Sequence, residues 1–374
     1  LWDALMEMAK IGPGVAGGNK RQTLTDEEAE GRRPYQSWCE AEGLTMGLDK
    51  MGNMFARREG TDASLPPVMV GSHLDTQPTG GKYDGVLGVL AGLEIIRTLN
   101  ETGIKTRHPI EVVNWTNEEG TRFSPPMMAS GVFAGVHTLD WAYNRSDAAG
   151  KTVGGELERI GWIGDEEVGA RKMAAFFELH IEQGPILEDM NMPVGVVTSI
   201  AGVDRFTISI TGVANHAGTI PMEKRKDALV AASEMVLAVN RLARESNGGK
   251  ATVGQLGVSP NAVNVIPGQV DMTLDIRFDN DARRDQLGED IITAMEAIAA
   301  EHGTEIVITK TYSQAVTPCD AVFREKLAEA SRQVQPETME LSSGAFHDAS
   351  AMADLCSVGM LFVRCHEGIS HHPD

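Results

Sequence analysis

Apolar and polar positions follow two rhythms along this chain. In the first half, short apolar runs at 68–71, 110–115 and 176–181 read as buried strands. Between the first two, Val86, Leu87, Val89, Leu90, Leu93 and Ile96 recur at helical spacing, and Asn100 to Gly103 supplies the stop signals. Strand, helix, strand is a βαβ unit, so this part predicts an α/β fold on a mostly parallel sheet.

From 205 to 316 the rhythm changes. Residues 206–211 alternate as a strand, 227–243 are helical, 262–266 and 270–278 read as strands, 283–300 as a helix and 305–311 as a last strand. The order βαββαβ predicts a ferredoxin-like α+β domain of residues 205–316, inserted into a discontinuous α/β domain of residues 1–204 and 317–374. Beyond the insert, 322–333 look helical, and 358–363 look like a strand returning to the main sheet. No internal repeat is visible.

Composition narrows the class. A chain of 374 residues, 42% hydrophobic, buries a large core without disulfides or structural metals. A net charge of -20 and a pI near 4.9 repel a phosphate backbone, which argues against a nucleic-acid partner. No apolar run approaches the roughly 18 residues needed to cross a bilayer, so no membrane partner is expected either. Cys39, Cys319, Cys356 and Cys365 are scattered and form no CxxC pair. Reduced thiols without a targeting signal suggest a cytoplasmic protein.

Ligands of open α/β sheets bind beyond the carboxyl ends of the strands, and chemistry-bearing residues gather there four times. Gly71-Ser72-His73-Leu74-Asp75 follows the first strand and Asn117-Glu118-Glu119-Gly120 the second. His180-Ile181-Glu182-Gln183-Gly184 closes the third, and Ser370-His371-His372-Pro373 follows the last. A lone histidine at a strand end is usually structural and an isolated Glu-Glu pair usually a solvated patch; four such coincidences point to a metal site. In His-x-Asp, the imidazole of His73 binds metal while the Asp75 carboxylate holds the ring's other N–H. Asp84, in a glycine-flanked loop before a helix, can bridge two ions with its two oxygens. Mixed imidazole and carboxylate donors suit zinc, manganese or cobalt, and two ions about 3.5 to 4 Å apart share and activate a water. Of two adjacent glutamates, one then binds metal and the other takes the proton. Ser72, Ser343 and Ser370 lie in no GxSxG elbow, and no complete P-loop or Rossmann fingerprint is present.

In order, GSHLDT, GGKYDGVLGVLAGLE, NEEGTRF, ELHIEQGP, ITGVANHAGTIPM, NAVNVIPG, DIR, SGAFHDA and GISHHP resemble the amidase branch of the dimetal aminoacylase and carboxypeptidase-G-like metallopeptidases. That branch holds N-carbamoyl-L-amino-acid hydrolases, β-ureidopropionases and allantoate amidohydrolases. The resemblance runs from about Gly12 to the last residue. It implies that His73, Asp84 and His180 bind one ion, and that Asp84, Glu119 and His371 bind the other. Glu118 is then the general base, and the two ions per subunit are Zn, Mn, Co or Ni. It further implies that the insert is a lid and dimerisation domain of a homodimer. His216 would reach the partner's site to stabilise the oxyanion, Asn264 and Arg277 would hold the substrate carboxylate, and Gln183 and Arg205 would also contact substrate.

The implied activity is hydrolysis of the ureido C–N bond of a small N-carbamoyl-L-amino acid. Allantoate amidohydrolase and β-ureidopropionase are the alternatives, and a non-catalytic metal-binding dimer is a remote one. The chain departs from the branch at Phe346, where the relatives have glycine, and at Asp374, beyond which they continue.

Overall fold

The computed structural model describes residues 1–335 and 337–373. The chain divides into two compact units. The first comprises Leu1–Thr198, Cys319–Leu341 and the stretch from Ala345 on; the second comprises Ser199–Pro318 with Ser342–Gly344. The second unit therefore begins at 199 rather than 205, and takes in a three-residue piece that the sequence did not assign to it. Ser343 is held there by a backbone hydrogen bond from Ala201 to its carbonyl, 2.9 Å.

The first unit is built on a mixed sheet whose strands run in the order Thr45–Leu48, Met54–Arg58, Ile110–Trp115, Val68–His73, Ala175–Ile181, Ser357–Val363, Val194–Ile200. The four central strands are mutually parallel, and the flanking ones antiparallel. Central strands covered on both faces read as continuous apolar runs, which is why these were legible in the sequence. The helix Val86–Glu101 lies flat on this layer because Gly88 lets it: a Cβ there would stand 2.4 Å from the Leu179 carbonyl and 2.7 Å from the Ser72 side chain. Val86, Leu87, Val89, Leu90, Leu93 and Ile96 are all buried, with Val70 and Val112 among the strand residues of the same cluster.

Two N-terminal helices, Trp2–Met8 and Asp26–Ala41, lie outside the elements expected from the sequence; they bury Ala4, Leu5 and Met8, and Ala29, Tyr35 and Cys39. The second starts at Thr25, whose hydroxyl accepts from the Glu28 amide. Its inward face carries a fully buried ion pair, Arg32 to Glu28 at 2.5 Å, and the same guanidinium donates to the Gly52 carbonyl and the Thr116 hydroxyl. A buried pair of this kind is costly to break from one side, because the survivor is left charged and dry.

In the second unit, an antiparallel sheet of order Leu256–Ser259, Gln269–Phe278, Gly202–Thr211, Glu305–Gln314 carries the helices Ala228–Glu245 and Asp281–His302. Val270, Met272, Leu274, Ile276 and Phe278 alternate inward and share a core with Met235, Leu287 and Ile291. Asp227 and Asn280 cap the two helices through the amides of Leu229, Val230 and Arg283. One expected strand is displaced. Pro260 and the left-handed Asn261 (φ 54°) turn the chain, so only Val265–Ile266 of 262–266 is extended, and it pairs with Asn215–His216 in a separate ribbon. The segment Leu256–Ser259 takes its place on the sheet. Among the described residues, no helix is long and apolar enough to cross a membrane.

Candidate metal centre

Parallel pairing brings the ends of two strands together: His73 closes Val68–His73, and His180 is the penultimate residue of Ala175–Ile181. Asp84 arrives from the loop before the helix Val86–Glu101. Ligating atoms of His73, Asp84 and His180 all lie within 4.8 Å of one another, and all three residues are buried. A second set within the same limit is Asp84, Glu119 and His371. Asp84 belongs to both: its Oδ1 lies 3.3 Å from His180 Nε2, and its Oδ2 lies 3.8 Å from His371 Nε2. Next to Asp84, Gly85 has φ 68°, and a Cβ on it would lie 2.2 to 2.4 Å from the imidazole atoms of His73. Glycine at 85 thus makes both the turn and the room for the ring.

The two buried rings are fixed by main-chain oxygens. His73 Nδ1 bonds the Asp75 carbonyl at 2.8 Å, and His180 Nδ1 bonds the Ile181 carbonyl at 2.9 Å, which turns both Nε2 atoms toward the cluster. Here the expectation for Asp75 needs correcting. Its carboxylate stands 3.7 Å from His73 Nδ1 and instead accepts the amides of Glu118 and Glu119, each at 3.3 Å. The residue holds His73 through its backbone and the Glu-Glu turn through its side chain.

Glu118 lies outside both sets of three, with Oε2 3.4 Å from His73 Nε2. Burial, with Asp348, Glu119 and Asp75 as charged neighbours, pushes its carboxyl well above the usual range. Glu119 is pushed up in the same way by burial and then by Asp84 and Asp75. Burial pushes the His73 imidazole down to about 4, the neutral state in which the ring donates a lone pair. Burial also works against the Asp84 carboxylate, but His180, His73 and His371 together hold it below its ordinary value.

These features fit divalent cations. Buried carboxylates and imidazoles converge, and among the described residues the buried Glu119 Oε1 and Gln183 Oε1 have no hydrogen-bond partner. The nitrogen and oxygen donors, without thiolate, match zinc, manganese, cobalt or nickel.

Other residues here were not singled out from the sequence. Glu178, two positions before His180, accepts from the Ser72 hydroxyl (2.7 Å) and the Ala349 amide (3.0 Å), so it ties the strand of His73 to the turn of His347 and Asp348. Glu178, His180 and His347 also form a close group of three, but both Glu178 oxygens already accept hydrogen bonds. His347 is buried edge-on against His180, ring centres 4.6 Å apart, beside the half-buried Phe346. Only the position of these residues within ELH and FHDA hinted at them. Gln183, expected at the substrate, donates from Nε2 to both Asp84 oxygens (3.3 Å each) and to Ser370 Oγ (3.0 Å), and Ser370 donates to Asp84 Oδ2 at 3.1 Å.

The second unit gathers its expected residues in two places. Arg205 and Arg277 both hold Asp275: Arg277 through Nε (2.7 Å) and Nη2 (3.2 Å), Arg205 through Nε (2.9 Å). Arg277 Nη1 also donates to the Gly344 carbonyl at 2.8 Å. His216 and Asn264 meet on the ribbon, where the Asn264 carbonyl accepts the Ala217 amide and His216 is exposed.

Comparison with known proteins places this geometry. The description of Peptidase family M20/M25/M40 matches residues 69–374. A Rhizobium meliloti protein named N-carbamoyl-L-amino-acid amidohydrolase is 53% identical, over all of this chain and 90% of its own length. A rice protein named probable allantoate deiminase is 36% identical, over 99% of this chain and 82% of its own length. Among solved structures, a Burkholderia multivorans amidase of the hydantoinase/carbamoylase family superposes with a TM-score of 0.94 at 47% identity, covering all of this chain and 91% of that one.

Proposed function

The chain belongs to the M20/M25/M40 peptidase family, whose members hydrolyse amide-type C–N bonds, and on that premise we propose that it cleaves the ureido bond of N-carbamoyl-L-amino acids with two bound divalent cations. The observation that carries this reading is the pair of ligand sets sharing Asp84, with Glu118 beside them and part of neither. Two ions joined by a carboxylate need one residue that reaches both, and a base free of metal has to stand next to them.

His73, Asp84 and His180 would hold one cation, and Asp84, Glu119 and His371 the other; Gln183 and Ser370 keep Asp84 oriented. When bound, such cations lower the pKa of a shared water and polarise the carbonyl oxygen of the substrate. Glu118 takes a proton from the attacking water as its oxygen bonds to the carbamoyl carbon. It then gives that proton to the α-nitrogen as the C–N bond breaks. The products are the amino acid and carbamic acid, which falls apart to ammonia and carbon dioxide. Following the resemblance, His216 donates to the developing oxyanion from the partner chain of a homodimer. Arg277 and Asn264 hold the carboxylate of the small ureido acid, with Arg205 beside them. Asp275 supports this role by fixing the Arg277 guanidinium along one edge.

Identity favours N-carbamoyl-L-amino acids over allantoate, 53% against 36% in the relatives so named. The test is a steady-state comparison of N-carbamoyl-L-amino acids, N-carbamoyl-β-alanine and allantoate after chelation and reconstitution with Mn, Co, Ni or Zn. Chelation should abolish turnover, an added cation should restore it, and the α-carbamoyl acids should be the best substrates. Full activity in metal-free protein, or a preference for allantoate, would overturn the assignment.

A further inference from the structure

We infer that Asn117 is the positioning residue for Glu118: from inside the turn that carries both glutamates, its side-chain amide sets where the base stands. This rests on the role given to Glu118 above.

The strand Ile110–Trp115 ends two residues earlier, and the helix Met128–Phe133 begins after Met127, so neither of the flanking elements contains Glu118 or Glu119. Besides the Asp75 carboxylate on both their amides, what fixes them is the closure of residues 117–127 on themselves. The Met128 amide donates to the Asn117 carbonyl at 3.2 Å, and the Met127 amide to the Glu118 carbonyl at 2.7 Å. Within the ring thus closed, Asn117 Nδ2 donates to the Phe123 carbonyl at 2.8 Å and to the Pro125 carbonyl at 3.3 Å. One side chain therefore joins the first residue of the turn to its far limb. Asn117 is fully buried and sits at φ 60°, a left-handed conformation that asparagine tolerates and branched residues do not. Its neighbour Thr116 is anchored on the other side, by its amide to Asn53 Oδ1 (3.0 Å) and by its hydroxyl from Arg32 (3.0 Å). The peptide between 117 and 118 thus leaves a fixed strand end in a direction set by Asn117.

The two glutamates do not depend on this equally. Glu119 has a tether of its own, the side-chain amide of Gln77 on its Oε2. Loosening the turn should move Glu118 while Glu119 stays where Gln77 holds it. Displacing a reacting group by about 1 Å costs on the order of 100-fold in rate.

Two variants separate the amide from the backbone angle. Asn117→Gly accepts the left-handed angle and removes the amide. Asn117→Asp keeps the shape and places a carboxyl against the two carbonyls. Each is made alone and in a Glu118→Gln background, with kcat, KM, bound metal by elemental analysis and affinity for the amino-acid product measured throughout. Alone, both should lower kcat by about 10- to 100-fold, with KM, metal content and product affinity within about threefold of the parent. In the Glu118→Gln background both should cost less than about threefold, because nothing is left to position. An equal loss in both backgrounds, or an unchanged kcat in either single variant, overturns the proposal. So does loss of metal, which would make Asn117 a support of the whole site. If Glu118→Gln alone turns over like the parent, the base assignment itself has failed, and that result is read before any Asn117 variant is made.

Discussion

Replacing Gly85 with alanine isolates a single atom against a single ring. A Cβ at that position would lie 2.2 Å from His73 Cε1 and 2.3 Å from Nε2, far inside van der Waals contact, while φ 68° with ψ -47° adds a backbone cost for any L-residue. Gly103 provides a control for positive φ alone: its φ is also 68°, and a Cβ there meets nothing within 4 Å. Gly103→Ala bears a positive-φ backbone cost of about 1–2 kcal/mol, and Gly85→Ala bears more, since its ψ of -47° lies outside the left-handed basin. Only Gly85→Ala adds the strain of an overfilled site, typically about 1–3 kcal/mol, which the structure relieves by moving the His73 ring. Thermal unfolding should therefore drop by roughly 2–8 °C for Gly103→Ala and further for Gly85→Ala, at about 2–4 °C per kcal/mol for a unit of this size. Elemental analysis should find the cation content of Gly103→Ala unchanged and that of Gly85→Ala reduced by at least one ion per chain. Turnover of an N-carbamoyl-L-amino acid should fall by more than about 100-fold in Gly85→Ala alone, since the displaced ring is one of the proposed ligands. Gly85→Ala with full metal content and parental kcat/KM would refute the reasoning, as would equal losses of activity in both variants.

Glu118→Gln should keep metal and product affinity while lowering kcat by roughly two to four decades, as stopped assays with metal analysis will show; loss of metal would mean that Glu118 and Glu119 have exchanged roles. Arg277→Ala should depress kcat/KM strongly for N-carbamoyl acids and little for the matching N-carbamoyl amines, and equal losses would reduce Arg277 to a partner of Asp275. Mixed His216→Ala and Glu118→Gln chains should regain activity once subunits exchange, if His216 acts across a dimer; no recovery would place it in its own chain's site. Burial raises Asp49 to about 6, against 3.8 for the free group, even though the amides of Met51 and Asn53 and the Asn53 side chain donate to it. The folded protein therefore holds a proton between about pH 4 and 6 that the unfolded chain has released, and this group's contribution to stability falls as pH rises through that window. The urea-unfolding difference between parent and Asp49→Asn should shrink by up to about 3 kcal/mol from pH 4 to 7, and a pH-independent difference would refute the assignment.

Periodicity served best where burial was most uniform. The parallel strands and Val86–Glu101 were readable because both faces are covered, and the helices of the second unit because one stripe faces a sheet. It failed where long-range contacts rather than pattern decide. The helix Asp26–Ala41 is mostly polar in sequence, and its buried face mixes Ala29, Tyr35 and Cys39 with the Arg32–Glu28 pair, which no local rule foretells. The run 262–266 has strand composition, yet the turn at Pro260 and Asn261 diverts it. In the site, residue types and strand-end positions were enough to suggest which side chains would meet. The division of labour within each residue was not, since whether Asp75 grips His73 by its carboxylate or its carbonyl turns on the difference between 3.7 Å and 2.8 Å. Glu178 escaped notice because an acid inside an apolar strand gives no sign of its partners until Ser72 and Ala349 are in place.

The sharing of Asp84 by two ligand sets bears on how the enzyme is made. His73, Asp84 and His180 are all translated well before His371, which follows His180 by roughly 190 residues. At a synthesis rate of about 5–20 residues per second, the two sets are completed some 10–40 seconds apart. The strand Ser357–Val363, which flanks the strand of His180, is made in the same late interval. A nascent chain can thus present the proposed first cation set while it still lacks the second. If the two sets hold cations as proposed, hydrolytic competence waits for His371, and a ribosome-stalled fragment ending short of it would be a metal scavenger without being an enzyme.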